Sequence, residues 1–225
     1  MISANIAAVQ ERIASACRRV GRQREEVTLV GVTKTFPAGM VREAVRAGVR
    51  DIGENYVQEA LRKREEVTEP DVRWHFIGHL QSNKVKSVAE WVHLVHALES
   101  RSLAKELDAR AAQAGRTIEA LVEVNTTGES SKFGLPPDRV AEFVRSLEEL
   151  SHIRIAGLMT IGPFLPDPEG SRPMFRMLRT LRDRLAQRPQ PNLDLRHLSM
   201  GMTGDFEVAI EEGATIVRVG SALFE

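Results

Sequence analysis

Short β-branched runs and helical stretches alternate along the whole sequence, and this alternation limits the possible folds more than any other feature. The segments VTLVGVTK (27–34), VRDIGE (49–54), RWHFIGHL (73–80), WVHLVHAL (91–98), TIEALVEVN (117–125), IRIAGLMTIG (153–162), LRHLSM (195–200) and TIVRVGSALF (215–224) read as strands. Between them, apolar spacing predicts helices over 37–47, 55–67, 82–90, 100–114, 138–150, 169–187 and 205–212. Pro37 suits a first helical turn, and Gly48 and Gly115 are stop signals. Ahead of the first strand, Ile2, Ile6, Val9, Ile13, Cys17 and Val20 recur at helical spacing up to Gly21, which predicts an extra N-terminal helix. Strands joined through helices must run parallel. Eight such units in 225 residues predict an α/β chain folded as a single (β/α)8 TIM barrel, one domain over 1–225. An open doubly wound sheet would need fewer strands and usually a glycine turn after the first, whereas here the first ends in Lys34.

Composition narrows the function. Lys+Arg and Asp+Glu both number 31, so no global field attracts nucleic acid or an anionic membrane. The one cysteine, Cys17, excludes an internal disulfide and a cysteine-based metal cluster, and fits a reducing compartment. The N-terminal segment mixes Glu11 and several arginines with its apolar residues, unlike a signal peptide or a membrane span of about 18 apolar residues. A cytoplasmic protein is expected.

Active sites of such barrels gather at the C-terminal ends of the strands. Three features converge there. Lys34 ends the first strand and shares a face with Thr28, Val30 and Val32, which aims it at the barrel mouth. A lysine held there sheds hydration, which favours the neutral amine that attacks an aldehyde. Taken alone, a solvated lysine at a strand end is the commoner case. The second feature is a pair of glycine-rich turns, SMGMTGD (199–205) and VGSA (219–222), at the two loops where barrels often hold phosphate. Each turn by itself is ordinary βα chemistry. The third is Arg218, which alternates with Ile216 and Gly220 on one face of the last strand. A buried arginine needs a ligand or a carboxylate partner, and Glu54 is one candidate. Facing a pyridine nitrogen, its fixed charge disfavours protonation of that nitrogen and weakens the ring as an electron sink. Lysine–aldehyde chemistry, a phosphate cradle and a partner for an aromatic nitrogen together point to pyridoxal 5′-phosphate (PLP).

The segments VGVTKTFP, IGENYVQEA, WHFIGHLQSNKVK, SSKFGL, GLMTIGPF, LSMGMTGDFEVAI and VRVGSALF, in that order, resemble the PLP homeostasis proteins, also called the proline synthase co-transcribed proteins. The resemblance covers nearly the whole chain. It implies a fold like the barrel domain of alanine racemase, PLP held as a Schiff base on Lys34, and a role in PLP homeostasis and amino-acid balance without an established catalytic activity. Carried over by motif, Asn55 would lie near the ring. Ser199, Met200 and Gly201, with Gly220 and Ser221, would hold the phosphate, and Arg218 would meet the ring nitrogen. Lys132 and His79 belong near the mouth by loop position. Two departures stand out: Phe36 occupies a position where the family often has a second lysine, and the usual MSxD stretch reads MTGD, with Thr203 keeping a hydroxyl.

No catalytic residue is assigned. Racemases resembling this barrel pair the lysine with a tyrosine from a second domain. Here the sequence stops at Glu225 and its one tyrosine, Tyr56, opens a helix, so an efficient racemase is not expected. The alternatives remain a PLP-dependent amino-acid racemase and a Schiff-base aldolase without PLP. Expected partners are PLP and PLP-dependent apoenzymes, and the expected state is a monomer. No metal is expected, because His75 and His79 are four apart on a strand rather than on a helix, and His93 and His96 fall on opposite strand faces. Tyr56, Phe175, Met177 and Leu178 read as packing, and Glu65–Glu66 and Glu148–Glu149 as solvated helix faces.

Overall fold

The computed structural model describes residues 1–129, 133–163 and 165–225. Its strands are β1 (Thr28–Val32), β2 (Asp51–Glu54), β3 (Arg73–Phe76), β4 (Leu94–Leu98), β5 (Ile118–Glu123), β6 (Ile153–Met159), β7 (Leu193–Ser199) and β8 (Ile216–Val219). They form a closed barrel in sequence order. Closure is parallel, with Thr28 beside Ile216 and Gly31 beside Val219. The helices are α1 (Ile2–Arg19), α2 (Ala38–Arg46), α3 (Val57–Glu66), α4 (Arg101–Gln113), α5 (Val140–Arg145), α6 (Arg172–Ala186), α7 (Phe206–Glu211) and α8 (Ser221–Phe224). Between β3 and β4 the crossover is a 3₁₀ helix, Ser82–Ser87.

The (β/α)8 barrel and its leading helix agree with the expectation. Several boundaries do not. The run 215–224 is not one strand: at Gly220 the backbone leaves the extended region, and Ser221–Phe224 coil into α8. That turn sends Leu223 and Phe224 into the core and lets Asn5 Nδ2 donate to the Leu223 carbonyl at 3.2 Å. The strand expected over 73–80 stops at Phe76, and the helix expected over 138–150 is regular only at Val140–Arg145. The apolar residues past those strand ends are still buried, Ile77 behind β3 and Leu223 and Phe224 in α8, so hydrophobicity alone does not mark where the strand stops.

Alternation along the strands separates two apolar layers. Val30, Leu94, Ala97, Leu121, Ala156, Met159 and Ile216 fill the barrel interior. Leu29, Ile52, Trp74, Phe76, Ile155, Val217 and Val219 face the helices in a larger outer core. Buried Ile2, Ile6, Val9 and Ile13 join α1 to that outer core. Two ion pairs fix its direction along α7, Arg12–Glu207 at 3.0 Å and Arg19–Glu211 at 2.7 Å. Arg22 then donates to the carbonyls of Ile210 and Ala214, both at 2.9 Å, satisfying acceptors at the end of α7.

Two glycines are required by close approach. Gly157 in β6 has φ +156, and a Cβ there would sit 2.0 Å from the His197 carbonyl oxygen of β7. Gly201 has φ +95, and a Cβ would sit 2.6 Å from Ala209 Cβ. Because the Gly157 contact is backbone against backbone, no rotamer change relieves it. Gly157→Ala should therefore cost about 3 kcal/mol or more of stability, read as a lowered urea midpoint.

Candidate functional site

A cavity of about 290 Å³ opens at the C-terminal mouth of the barrel. That is near the lower end of small-molecule sites, roughly 300–1,000 Å³. Its wall brings together Lys34 and Val32 from the end of β1, Asn55 from the end of β2, Ile77, Ile161, Arg218 from β8, Gly220 and Ser221 from the start of α8, and Met202, Thr203 and Gly204 from the turn before α7. Five of the expected residues, Lys34, Asn55, Arg218, Gly220 and Ser221, thus share one wall. Val32 and Lys34, like Arg218 and Gly220, share a strand face as their two-residue spacing requires.

The other three do not line it. Met200 is fully buried in the outer core. Gly201 packs against α7, and its carbonyl accepts the Arg218 amide at 3.0 Å. Ser199 is buried, with its hydroxyl turned into the barrel toward His96 and Arg218. The turn therefore presents Thr203 and Gly204, not 199–201, to the cavity. Ser221 donates its hydroxyl to Thr203 Oγ1 at 3.2 Å, joining the two turns across the rim.

The backbone around Lys34 is fixed from below. Lys63, on the charged helix α3, is buried rather than solvated. Its Nζ donates to the Thr33 carbonyl at 2.5 Å and to Glu54 Oε1 and Glu59 Oε1 at 2.7 Å each. Glu54 also accepts from the Thr33 hydroxyl, and Glu59 accepts the Thr35 amide at 2.7 Å. Thr35 has φ +69, which turns the chain directly after Lys34. Both neighbours of Lys34 are thus pinned while its own side chain stays exposed. The loss of hydration expected at Lys34 is not supplied by the fold alone. Burial pushes the Glu54 carboxyl above its usual range, against the Lys63 and Thr33 hydrogen bonds that lower it.

Arg218 is buried and, among the described residues, makes no ion pair. The expected Glu54 partner is committed to Lys63 instead. Arg218 Nη1 donates to Ser199 Oγ at 2.6 Å, and Nη2 to the Thr160 carbonyl at 2.9 Å. Burial lowers its pKa to about 10, opposed by the more distant Glu123 and Asp205, so it keeps its charge at neutral pH. Burial and the nearby Glu99 raise Glu123 to about 7, with Arg218 pulling the other way.

His96 is buried inside the barrel and His93, just ahead of β4, is exposed, yet both rings lie 5.2 Å from that of His75. Asp51, His75 and His93 bring three ligand atoms within 4.8 Å of one another. Yet Asp51 already holds Arg73 at 2.7 and 2.5 Å and His75 at 2.9 Å, which leaves no carboxylate oxygen uncommitted.

Beside the cavity, and sharing Asn55, lies a second hollow of about 420 Å³ lined by Tyr56, Gln58, His79, Gln81, Lys84 and Phe133 among others. His79 pairs with Glu99 at 2.7 Å and stacks on Phe133. Tyr56, expected as packing, is 59% exposed, and Met177 is 44% exposed, whereas Phe175 and Leu178 are buried. Lys132 lies outside the described residues.

Residues 4–225 match the family model for the alanine racemase N-terminal domain. Over 216 residues the chain is 48% identical to the pyridoxal phosphate homeostasis protein of Aquifex aeolicus, spanning 96% of this chain and 94% of that one. The chain belongs to the pyridoxal phosphate homeostasis protein family. PipY of Synechococcus elongatus, whose structure was solved with PLP bound, is 34% identical, covers 100% of both chains and superposes with a TM-score of 0.87. The alanine racemase of Clostridium difficile shares the fold at 14% identity and a TM-score of 0.69, covering 95% of this chain and 58% of that one.

Two outcomes follow for this homeostasis-family barrel. Lys63→Met leaves the Glu54 carboxyl buried without its cation, and should cost about 3–5 kcal/mol by chemical denaturation. A carboxyl raised to about 7 in the folded chain destabilises it as pH climbs from the unfolded value, roughly 4.3, through 7. Glu123→Gln should therefore raise the urea midpoint at pH 8 by an amount on the order of 2–3 kcal/mol, and leave it nearly unchanged at pH 4.

Proposed function

We propose that this chain holds PLP as a Schiff base on Lys34 and serves in PLP homeostasis and amino-acid balance, as a cytoplasmic monomer that exchanges PLP with dependent apoenzymes rather than as an efficient catalyst. The observation that carries the reading is the single cavity wall on which Lys34, Asn55, Arg218, Thr203 and Ser221 converge. PLP binding by PipY and the family name shared by the relatives support it.

The residues fit the group. Asn55 Oδ1 is buried without a hydrogen-bond partner, an acceptor suited to the phenolic hydroxyl of the ring. A Cβ on Gly204 would meet no heavy atom within 4 Å, so the turn there leaves room for a bulky anion beside the Thr203 and Ser221 hydroxyls. Arg218 offers donors and no acceptor, which matches an unprotonated ring nitrogen.

When bound, PLP supplies an aldehyde for covalent attachment and an aromatic ring that stabilises charge on an attached amino group. The exposed Lys34 amine would be the group that holds that aldehyde, with loss of water. Thr33 and Thr35, pinned by Glu54, Lys63 and Glu59, fix the point from which the amine reaches. Thr203, Gly204, Gly220 and Ser221 surround the phosphate. Arg218 keeps its proton and so withholds one from the ring nitrogen, which limits the ring as an electron sink. That restraint suits storage and transfer better than turnover.

Borohydride reduction followed by peptide mass spectrometry tests the reading. One pyridoxyl phosphate group should be found on the Lys34 peptide, and the visible absorbance should vanish in Lys34→Ala. Attachment at another lysine would overturn the assignment of Lys34. Solvent exchange of an amino acid's α-hydrogen at catalytic rates would overturn the non-catalytic part of the proposal.

A further inference from the structure

Behind Arg218 the barrel interior carries an unbroken line of polar side chains. It runs from Arg73 and Asp51 at the lower rim, through His75 and His96, to Ser199 and the guanidinium. One choice of imidazole tautomers, taken up from its lower end, gives every bond in it a donor and an acceptor. Burial raises the Asp51 carboxyl, but the Arg73 and His75 hydrogen bonds outweigh it and hold the group at about 2, a carboxylate. His75 Nε2 therefore donates to Asp51 Oδ1, at 2.9 Å. In the tautomer that carries its proton on Nε2, His75 presents an Nδ1 lone pair toward His96. His96 Nε2 donates to that lone pair across 2.9 Å. His96 is entirely buried, and burial, His75 and Arg218 all act to keep it neutral. Its Nδ1 then accepts the Ser199 hydroxyl proton at 3.0 Å. With its proton so committed, Ser199 Oγ turns a lone pair to Arg218 Nη1 at 2.6 Å.

This arrangement solves a specific problem. A carboxylate against Arg218 would hold it firmly but cancel its field at the cavity. The Ser199 hydroxyl, backed by the His96 imidazole, holds it without cancelling it. The one carboxylate in the line, Asp51, sits at the far end beside Arg73.

We propose that His96, oriented by His75 and Asp51, is a positioning residue of the cofactor site: through Ser199 it fixes the Arg218 guanidinium toward the ring nitrogen while leaving its charge uncompensated. The inference rests on the reading that Arg218 meets the PLP ring.

The test compares three variants, His96→Leu, His96→Asn and Ser199→Ala, each reconstituted with PLP. The readouts are the visible absorption band of the Lys34-bound cofactor, the PLP dissociation constant and the thermal midpoint. His96→Leu and Ser199→Ala each remove a bond that fixes the guanidinium, and should shift the band and weaken PLP binding about tenfold, the equivalent of one buried hydrogen bond of roughly 1.4 kcal/mol. His96→Asn presents Oδ1 where the imidazole has Nδ1 and so still accepts from Ser199. It should keep the wild-type band and bind PLP within about twofold of wild type, although it breaks the bond to His75. If all three variants keep the wild-type band and affinity and lose only thermal stability, the line is structural and the proposal is overturned. Should His96→Leu fail to fold, Ser199→Ala, which removes a single oxygen, decides by the same criterion. If wild-type protein takes up no borohydride-fixable PLP, the cofactor reading has failed before any variant is compared, and this inference falls with it.

Discussion

A guanidinium, Arg218, is buried at the mouth of a parallel barrel and makes no ion pair among the described residues, and the polar architecture of the molecule is arranged around that fact. Leaving a charge in such surroundings is costly unless its donors are used and its field is employed. Two donors are used, on Ser199 and on the Thr160 carbonyl. The nearest anions act only at a distance, and one of them, Glu123, is itself held toward its neutral form by burial and by Glu99. The obvious counter-ion, Glu54, is kept away by Lys63.

Two separate networks therefore serve one wall. The first, Glu54, Lys63 and Glu59, is electrically self-contained and acts through the backbone of Thr33 and Thr35 to set where Lys34 leaves the strand. The second, from Asp51 to Ser199, acts on a side chain, Arg218, and passes through the barrel interior. The backbone on either side of Lys34 is bound while its side chain is exposed, and the hydrogen bonds of the Arg218 guanidinium go to a hydroxyl and a carbonyl. Both results depend on strand ends that barrel closure brings into fixed register, β8 beside β1 and β1 beside β2.

How much of this the sequence discloses depends on which periodicity carries the information. A period of two is local and robust, so spacing alone aligns Lys34 with Val32, and Arg218 with Gly220. The barrel itself follows from eight repetitions of one unit. Lys63 is hidden because a lysine in a helix of charged residues matches a solvated face, and only the tertiary position of Glu54 draws it inward. His96 shares the interior face with Leu94 as alternation requires, but that its ring bridges His75 and Ser199 depends on the register of separate strands. Strand ends are overrun where buried apolar residues belong to the next element, as at 215–224, where Leu223 and Phe224 lie in α8.

The turn after β7 shows why composition alone misreads a glycine. SMGMTGD carries the residues a phosphate loop needs, and proximity in sequence suggests that its first three residues form the cradle. The structure divides the labour differently. Gly201 is required because α7 comes too close for any Cβ, and that approach buries Met200 and turns Ser199 inward. Its carbonyl receives the amide of Arg218, so the same glycine that admits the helix also fixes the strand that carries the guanidinium. Thr203 and Gly204 reach the cavity because Gly201 does not have to. The first half of the motif supports Arg218, the second half faces the cavity, and Gly201 lies between them.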